Sequence, residues 1–106
     1  MNAEIGVAEL ARLRASDADF VLLDVREADE LALAALPGAL PVPMDEVPNR
    51  LHELPRDKPI VVMCHGGVRS ARVARYLRQQ GFEQVSNLAG GIEAWSCEID
   101  PSVPRY

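Results

Sequence analysis

The sequence predicts an α/β domain: a central, mostly parallel sheet of about five strands, flanked by helices on both faces. Three observations lead there. Short continuous apolar runs, Phe20–Val25 and Ile60–Met63, have the pattern of strands covered on both sides. Stretches with helical spacing lie between such runs, so strands and helices alternate along the chain. Proline and glycine punctuate the joins. The chain has 106 residues, which suits one domain with a modest core. The core is expected over about 4–95, and the last residues, 96–106, with two prolines and few apolar side chains, are expected to be an irregular tail.

The elements follow in order. Val7–Leu13 places Val7, Leu10 and Ala11 on successive helical turns. Phe20–Val25 is the first strand. Glu27–Ala34 reads as a short helix with acids in its first turn. Pro37-Gly38 marks a turn, and Ala39–Val42 a short strand whose proline places it at a strand end or sheet edge. Met44–Leu51 reads as a further short helix and Pro55–Pro59 as a loop. Pro59–Met63 supplies the central strand. Ser70–Gln80 is the helix after it, closed by Gly81 in the manner of a helix C-terminus. Gln84–Leu88 is the last strand, and Gly90-Gly91 turns the chain into Ile92–Trp95.

Between the central strand and its helix lies Cys64-His65-Gly66-Gly67-Val68-Arg69-Ser70. A cysteine at the carboxyl end of a strand sits where open α/β sheets bind ligands. Backbone N–H groups in a glycine-bearing loop converge on one point, and the helix start adds partial positive charge there. Both favour a Cys64 thiolate below the free-thiol pKa of about 8.5. The loop is suited to holding an anion beside a nucleophilic sulfur.

Composition narrows the class. Apolar residues make up 48% and charged residues 25% of the chain, as in ordinary globular proteins. The formal net charge of −5 argues against a general nucleic-acid binder. No apolar run approaches the roughly 20 residues of a membrane span, and no secretory signal is visible at Met1-Asn2-Ala3-Glu4. Two cysteines, Cys64 and Cys97, do not make a disulfide framework, so a cytoplasmic, reducing setting is expected. The charge is uneven: residues 1–59 sum to −6 and residues 60–106 to +1. Arg69, Arg72, Arg75 and Arg78 place the positive charge in and just after the cysteine loop.

Three motifs resemble the rhodanese (sulfurtransferase) family in its single-domain form. They are Leu22-Leu23-Asp24-Val25-Arg26-Glu27, the loop Cys64–Ser70, and Asn87-Leu88-Ala89-Gly90-Gly91-Ile92-Glu93-Ala94-Trp95. They come in the family's order, and the likeness spans about Glu4 to Trp95. One departure is the Ala34-Ala35-Leu36 that precedes Pro37-Gly38-Ala39, where the family often has Gly-His-Ile; altered local packing is expected there. The resemblance implies a rhodanese-like fold and a thiosulfate sulfurtransferase. Cys64 would take sulfane sulfur from thiosulfate or a persulfide donor and pass it, from a Cys64 persulfide, to cyanide, a thiol or a protein acceptor. Two half-reactions of covalent catalysis imply ping-pong kinetics, with no metal and no organic cofactor.

Each residue also has a plainer reading. Cys64 is the expected nucleophile, against a small buried hydrophobe. Gly66 and Gly67 let the backbone turn and aim its N–H groups inward, with Val68 completing the loop. Arg69 is expected to close the loop and bind an oxyanion, since a helix N-terminus is otherwise a poor place for a cation. Ser70 reads as a helix cap, with a contact to the Cys64 sulfur as the alternative. His65 is expected at the pocket rim, tuning the acceptor. Asp24 and Arg26 read as a structural ion pair bracing the loop, ahead of a direct substrate contact. Trp95 reads as core and Gly90-Gly91 as turn chemistry. Cys97 reads as an incidental thiol, with a relay role requiring its sulfur to reach Cys64.

Arg72, Arg75 and Arg78 slip round the helix as a slanting stripe. It reads as a solvated face, or as a docking surface for an acidic sulfur donor or acceptor protein. Asp100–Tyr106 is similar to the ends of rhodanese domains fused to ubiquitin-like-protein activating enzymes, which favours a protein acceptor. Two rival functions remain. A sulfur-carrier or binding module would serve a cofactor- or tRNA-thiolation partner. A cysteine phosphatase or arsenate reductase would use the same residue types, but has five residues between Cys and Arg. Here His65–Val68 supplies four, a smaller cradle suited to sulfur.

Overall fold

A computed structural model describes residues 2–106. Five strands form one parallel sheet: β1 (Glu4–Ile5), β2 (Val21–Asp24), β3 (Leu40–Pro41), β4 (Ile60–Met63) and β5 (Val85–Leu88), in the order β1-β5-β4-β2-β3. Four α-helices surround it: α1 (Val7–Ala15), α2 (Ala28–Leu33), α3 (Val68–Gln79) and α4 (Gly91–Glu98). No helix among the described residues is long and apolar enough to cross a membrane.

Strand alternation divides the core in two. Leu23, Ile60 and Val62 face one side and pack with Val73, Ala74 and Leu77 of α3. Leu22, Val61 and Met63 face the other and pack with Leu10 of α1 and with Ile92 and Trp95 of α4. The central strand β4 is buried along its whole length, which explains its unbroken apolar sequence. Each fully buried aliphatic side chain there contributes about 1.5–3 kcal/mol. This double-sided packing fixes the carboxyl ends of β2, β4 and β5 side by side, and the cysteine loop leaves the middle one.

Four expectations need correction. The two-residue strand β1 was not expected; its partner β5 defines it, through Asn87 N–H donating to Ala3 O and Ala89 N–H to Ile5 O. Met44–Leu51 is not an α-helix but two short 3-10 turns, Met44–Asn49 and Leu51–Glu53, because Pro48 has no N–H to continue an α-helical ladder. Helix α3 begins at Val68, two residues before Ser70. The tail is not irregular from Ser96 onward: α4 runs on to Glu98, Ser96 is buried, and Val103 packs into the Trp95 side of the core. The proline in β3 does sit in an edge strand, paired to β2 alone. At the departure before Pro37, Ala34 and Leu36 are buried and Ala35 between them is exposed.

Candidate active site

Cys64 leaves β4 at its carboxyl end with its side chain buried. The chain then turns through His65 and Gly66 into Gly67, whose φ of +105° is left-handed. Glycine is needed at 67 twice over. An L side chain disfavours that φ, and a Cβ there would lie 3.2 Å from Gly90 N and 3.3 Å from Leu88 O. Gly66 differs: it has no positive φ, and a Cβ on it would meet nothing within 4 Å.

This turn gathers donors on the sulfur. The Gly67 N–H reaches Cys64 Sγ at 3.1 Å and the Ser70 N–H at 3.4 Å, with Ser70 Oγ at 3.2 Å. The two N–H groups are donors that a helix start leaves without intrahelical partners, while the Ser70 hydroxyl lies beside the sulfur and also donates to Asn87 Oδ1. Burial pushes the Cys64 thiol up, but the Ser70 hydroxyl and the N–H groups of Ser70, Gly67 and Arg69 outweigh it and hold the pKa below that of an ordinary thiol. Ser70 is therefore not the helix cap: Gly67 occupies that position, and Ser70 lies in the first turn with its hydroxyl beside the sulfur.

The loop is fixed from its other side by α4. Ile92 N–H donates to Cys64 O and Glu93 N–H to His65 O, both at 3.0 Å. Gly91 makes this approach possible, since a Cβ there would fall 2.4 Å from His65 O and 2.5 Å from Cys64 O. Gly91 is thus a close-approach residue as well as a turn residue. One helix start receives the sulfur and a second receives the loop carbonyls.

A polar cluster forms the rim. Arg69 makes a two-pronged ion pair with Glu30, Nη1 to Oε1 at 2.6 Å and Nη2 to Oε2 at 2.9 Å. Arg69 is expected from sequence to grip an oxyanion; here both terminal nitrogens are occupied by Glu30. That pairing explains how a cation is accommodated in the first turn of α3. The Arg69 guanidinium holds the Glu30 carboxyl down at about 2 against the effect of burial. Tyr106 OH donates to Glu30 Oε2 at 2.8 Å and accepts from Arg26 Nη1 at 3.0 Å. The Tyr106 ring stacks on His65, with centroids 4.1 Å apart and planes 14° from parallel. His65 Nε2 lies 3.6 Å from Glu93 Oε2, so this imidazole sits at the rim between a tyrosine and a carboxylate.

Asp24 and Arg26 are both fully buried and paired, Nε to Oδ1 at 2.9 Å and Nη2 to Oδ2 at 2.8 Å. Arg26 also donates to Ala34 O at 2.8 Å. It therefore ties β2 to the end of α2 and, through Tyr106, to the rim. Burial works against its charge, but the Asp24 and Tyr106 hydrogen bonds outweigh it and keep the guanidinium protonated.

The remaining candidates are dispersed. Arg72 and Arg75 are exposed on α3, whereas Arg78 donates to Val85 O at 3.2 Å, so the stripe of free cations is two residues long. Cys97 is exposed on α4, its thiol 3.7 Å from Glu93 Oε1, and it is not among the partners of Cys64 Sγ. Sequence reasoning missed Glu30, Tyr106 and Asn87 as site residues. Asn87 had a usable signal, being a polar side chain within a short strand that is buried throughout.

The rhodanese-like domain family model matches residues 7–98. The chain belongs to that family. A sulfurtransferase of Allochromatium vinosum is 41% identical over 96 residues, covering 91% of this chain and 90% of the relative. A rhodanese-like domain protein of Staphylococcus aureus superposes with a TM-score of 0.86 at 30% identity, covering 99% of each chain. The human single-domain sulfurtransferase TSTD1 gives 0.85 at 25% identity, covering 92% of this chain and 98% of the other. The fold is that of a rhodanese-like domain, and relatives of matching length are named sulfurtransferases.

Proposed function

We propose that this rhodanese-like domain transfers sulfane sulfur through a persulfide on Cys64. The observation that supports it most is the buried Cys64 sulfur facing the N–H groups of Gly67 and Ser70. In the first half-reaction the thiolate attacks the outer sulfur of thiosulfate or of a persulfide donor. The donor's S–S bond breaks, and sulfite, or the donor thiolate, leaves with the electron pair. The new persulfide is itself an anion, so the same donors stabilise it. In the second half-reaction a thiolate or cyanide attacks the outer sulfur and Cys64 departs as thiolate. The four-residue gap from Cys64 to Arg69, and the commitment of Arg69 to Glu30, disfavour a phosphatase or arsenate reductase. Protein loaded with thiosulfate and then freed of it should convert cyanide to thiocyanate in about one equivalent per chain. The Cys64→Ser variant should convert none.

The acceptor side carries a second reading, that of an acidic protein segment presenting its thiol across Arg72 and Arg75. Among the described residues neither arginine has a hydrogen-bond or ion-pair partner, in a chain of net charge −5. Beside Arg72 runs a groove of about 190 Å³ lined by Met44, Val47, Pro48, Val73 and Tyr76, fit for an apolar side chain of the same segment. The test isolates the second half-reaction, using protein already loaded with sulfur and two cysteine peptides that differ only in Glu or Lys flanks. The Glu peptide should react faster, by about tenfold at low salt. Arg72→Glu with Arg75→Glu should remove that preference and leave the rate with cyanide nearly unchanged. Equal losses with both acceptors would contradict the docking surface while leaving the persulfide chemistry intact.

A further inference from the structure

We propose that Asn87 is a positioning residue that holds the Ser70 proton away from the Cys64 sulfur, and so sets the pH at which the nucleophile ionises. The inference builds on the proposed role of Cys64 but is read out independently of sulfur transfer.

The Asn87 amide has a fixed orientation. Its Nδ2 faces Glu4 Oε2 at 3.0 Å and Gly67 O at 3.2 Å. A carboxylate and a carbonyl only accept, so the NH₂ end of the amide must point at them. That leaves Asn87 Oδ1 toward Ser70 Oγ, 2.5 Å away. Oδ1 has no proton to give, so the hydroxyl of Ser70 is the donor. Ser70 has one proton and two neighbours that want it, because its oxygen also lies 3.2 Å from Cys64 Sγ. All three residues are shut off from water, with Asn87 3% exposed, Cys64 1% and Ser70 0%, so no solvent molecule relieves the competition.

Two arrangements result. With Cys64 protonated, the thiol donates to Ser70 Oγ and the Ser70 hydroxyl donates to Asn87; every group is satisfied. With Cys64 ionised, the Ser70 hydroxyl either stays on Asn87 and turns a lone pair toward the thiolate, or rotates to the sulfur and strands Asn87 Oδ1 without a donor. Either choice costs energy that the thiol form does not spend. The hydroxyl's favourable contribution to the thiolate is available only at that cost, whereas the N–H groups of Gly67, Arg69 and Ser70 contribute without it. Asn87 thereby keeps the thiol form competitive and limits how far the loop lowers the ionisation of Cys64. The charged and titratable groups around the pair are Glu4 on β1, Glu30 on α2, Arg69 on α3, His65 in the loop, Glu93 on α4 and Tyr106 in the tail; of these only Glu4 loses a partner, the Asn87 amide, in the substitutions below, and the Ser70→Ala background controls for that loss.

The test is the pH profile of Cys64 alkylation by iodoacetamide, in full-length protein carrying Cys97→Ser so that one thiol reacts. Asn87→Ala, and Asn87→Leu as a near-isosteric second variant without an acceptor, should free the Ser70 hydroxyl for the thiolate. The midpoint should fall, raising the alkylation rate near pH 6 by about threefold. The same substitutions made in a Ser70→Ala background should produce no such fall, because there is no proton to release. A midpoint that stays or rises in whichever of the two Asn87 variants is folded would show that Asn87 merely braces the loop, and would overturn the proposal. So would a fall that persists without the Ser70 hydroxyl. Loss of thiocyanate formation in the parent protein would count against the proposed function and leave this result standing.

Discussion

Asp24→Ala is expected to destabilise the domain by about 3–5 kcal/mol, the usual cost of leaving a buried charge without its partner. Arg26 cannot escape by releasing its proton, and its side chain is fully buried. Without Asp24 it keeps only neutral acceptors, the carbonyls of Ala34 and Glu30 and the hydroxyl of Tyr106. A domain of this size has about 5–15 kcal/mol in total, so the midpoint of thermal unfolding should fall by more than about 12 °C. The consequence reaches the site, because Arg26 holds Tyr106 and also α2, through the carbonyls of Glu30 and Ala34, and Glu30 carries the carboxylate that pairs with Arg69. Removing the pair together, as Asp24→Leu with Arg26→Met, should recover much of the stability, since two charges are then no longer kept from water. A loss below about 1 kcal/mol for the single variant, by thermal or urea unfolding, would show that Arg26 finds adequate partners elsewhere.

Gly91→Ala is the second large effect, and Gly66→Ala its control. A Cβ at 91 would lie 2.4–2.6 Å from three backbone atoms of Cys64 and His65, at a φ of +57°. Backbone cannot move aside as a side-chain tip does. Overpacking should cost about 1–3 kcal/mol and the left-handed backbone about 1–2 kcal/mol more. The strain falls on the two residues that carry the sulfur, so alkylation of Cys64 should change as well as thermal stability. Gly66→Ala, two residues from the same sulfur, meets open space and should stay within about 0.5 kcal/mol of the parent. Equal effects at the two positions would contradict the account of how α4 pins the loop.

The contrast between these glycines also marks where the sequence was legible. The strands β2 and β4 could be read because a parallel sheet covered on both faces leaves continuous apolar runs, whereas β5 carries Ser86 and Asn87 between its apolar ends and is set off by the glycines on either side. The cysteine loop could be read because its chemistry is contiguous: the nucleophile, the left-handed turn and the helix start follow one another within seven residues. Gly66 and Gly67 look alike in sequence, yet only Gly67 has the left-handed φ. The start of α3 precedes the one the sequence predicts because Val68 and Arg69 argue against a helix N-terminus on propensity. The structure resolves that conflict with Gly67 as cap and Glu30 beside Arg69. Glu30, Tyr106 and Asn87 come from α2, the tail and β5, and no local pattern links them to Cys64 before the chain is folded. The order of the tail is hidden from the sequence for a related reason: what orders it is tertiary, namely Val103 in the core and Tyr106 on His65.

The proposed function rests on Cys64 as the carrier of the sulfur. Mass spectrometry of the intact protein after treatment with thiosulfate and removal of the excess tests it most directly. A gain of about 32 Da per chain should appear, map to the peptide containing Cys64, disappear on addition of cyanide, persist in Cys97→Ser and be absent in Cys64→Ser. No gain, or a gain that maps to Cys97 and survives in Cys64→Ser, would contradict it.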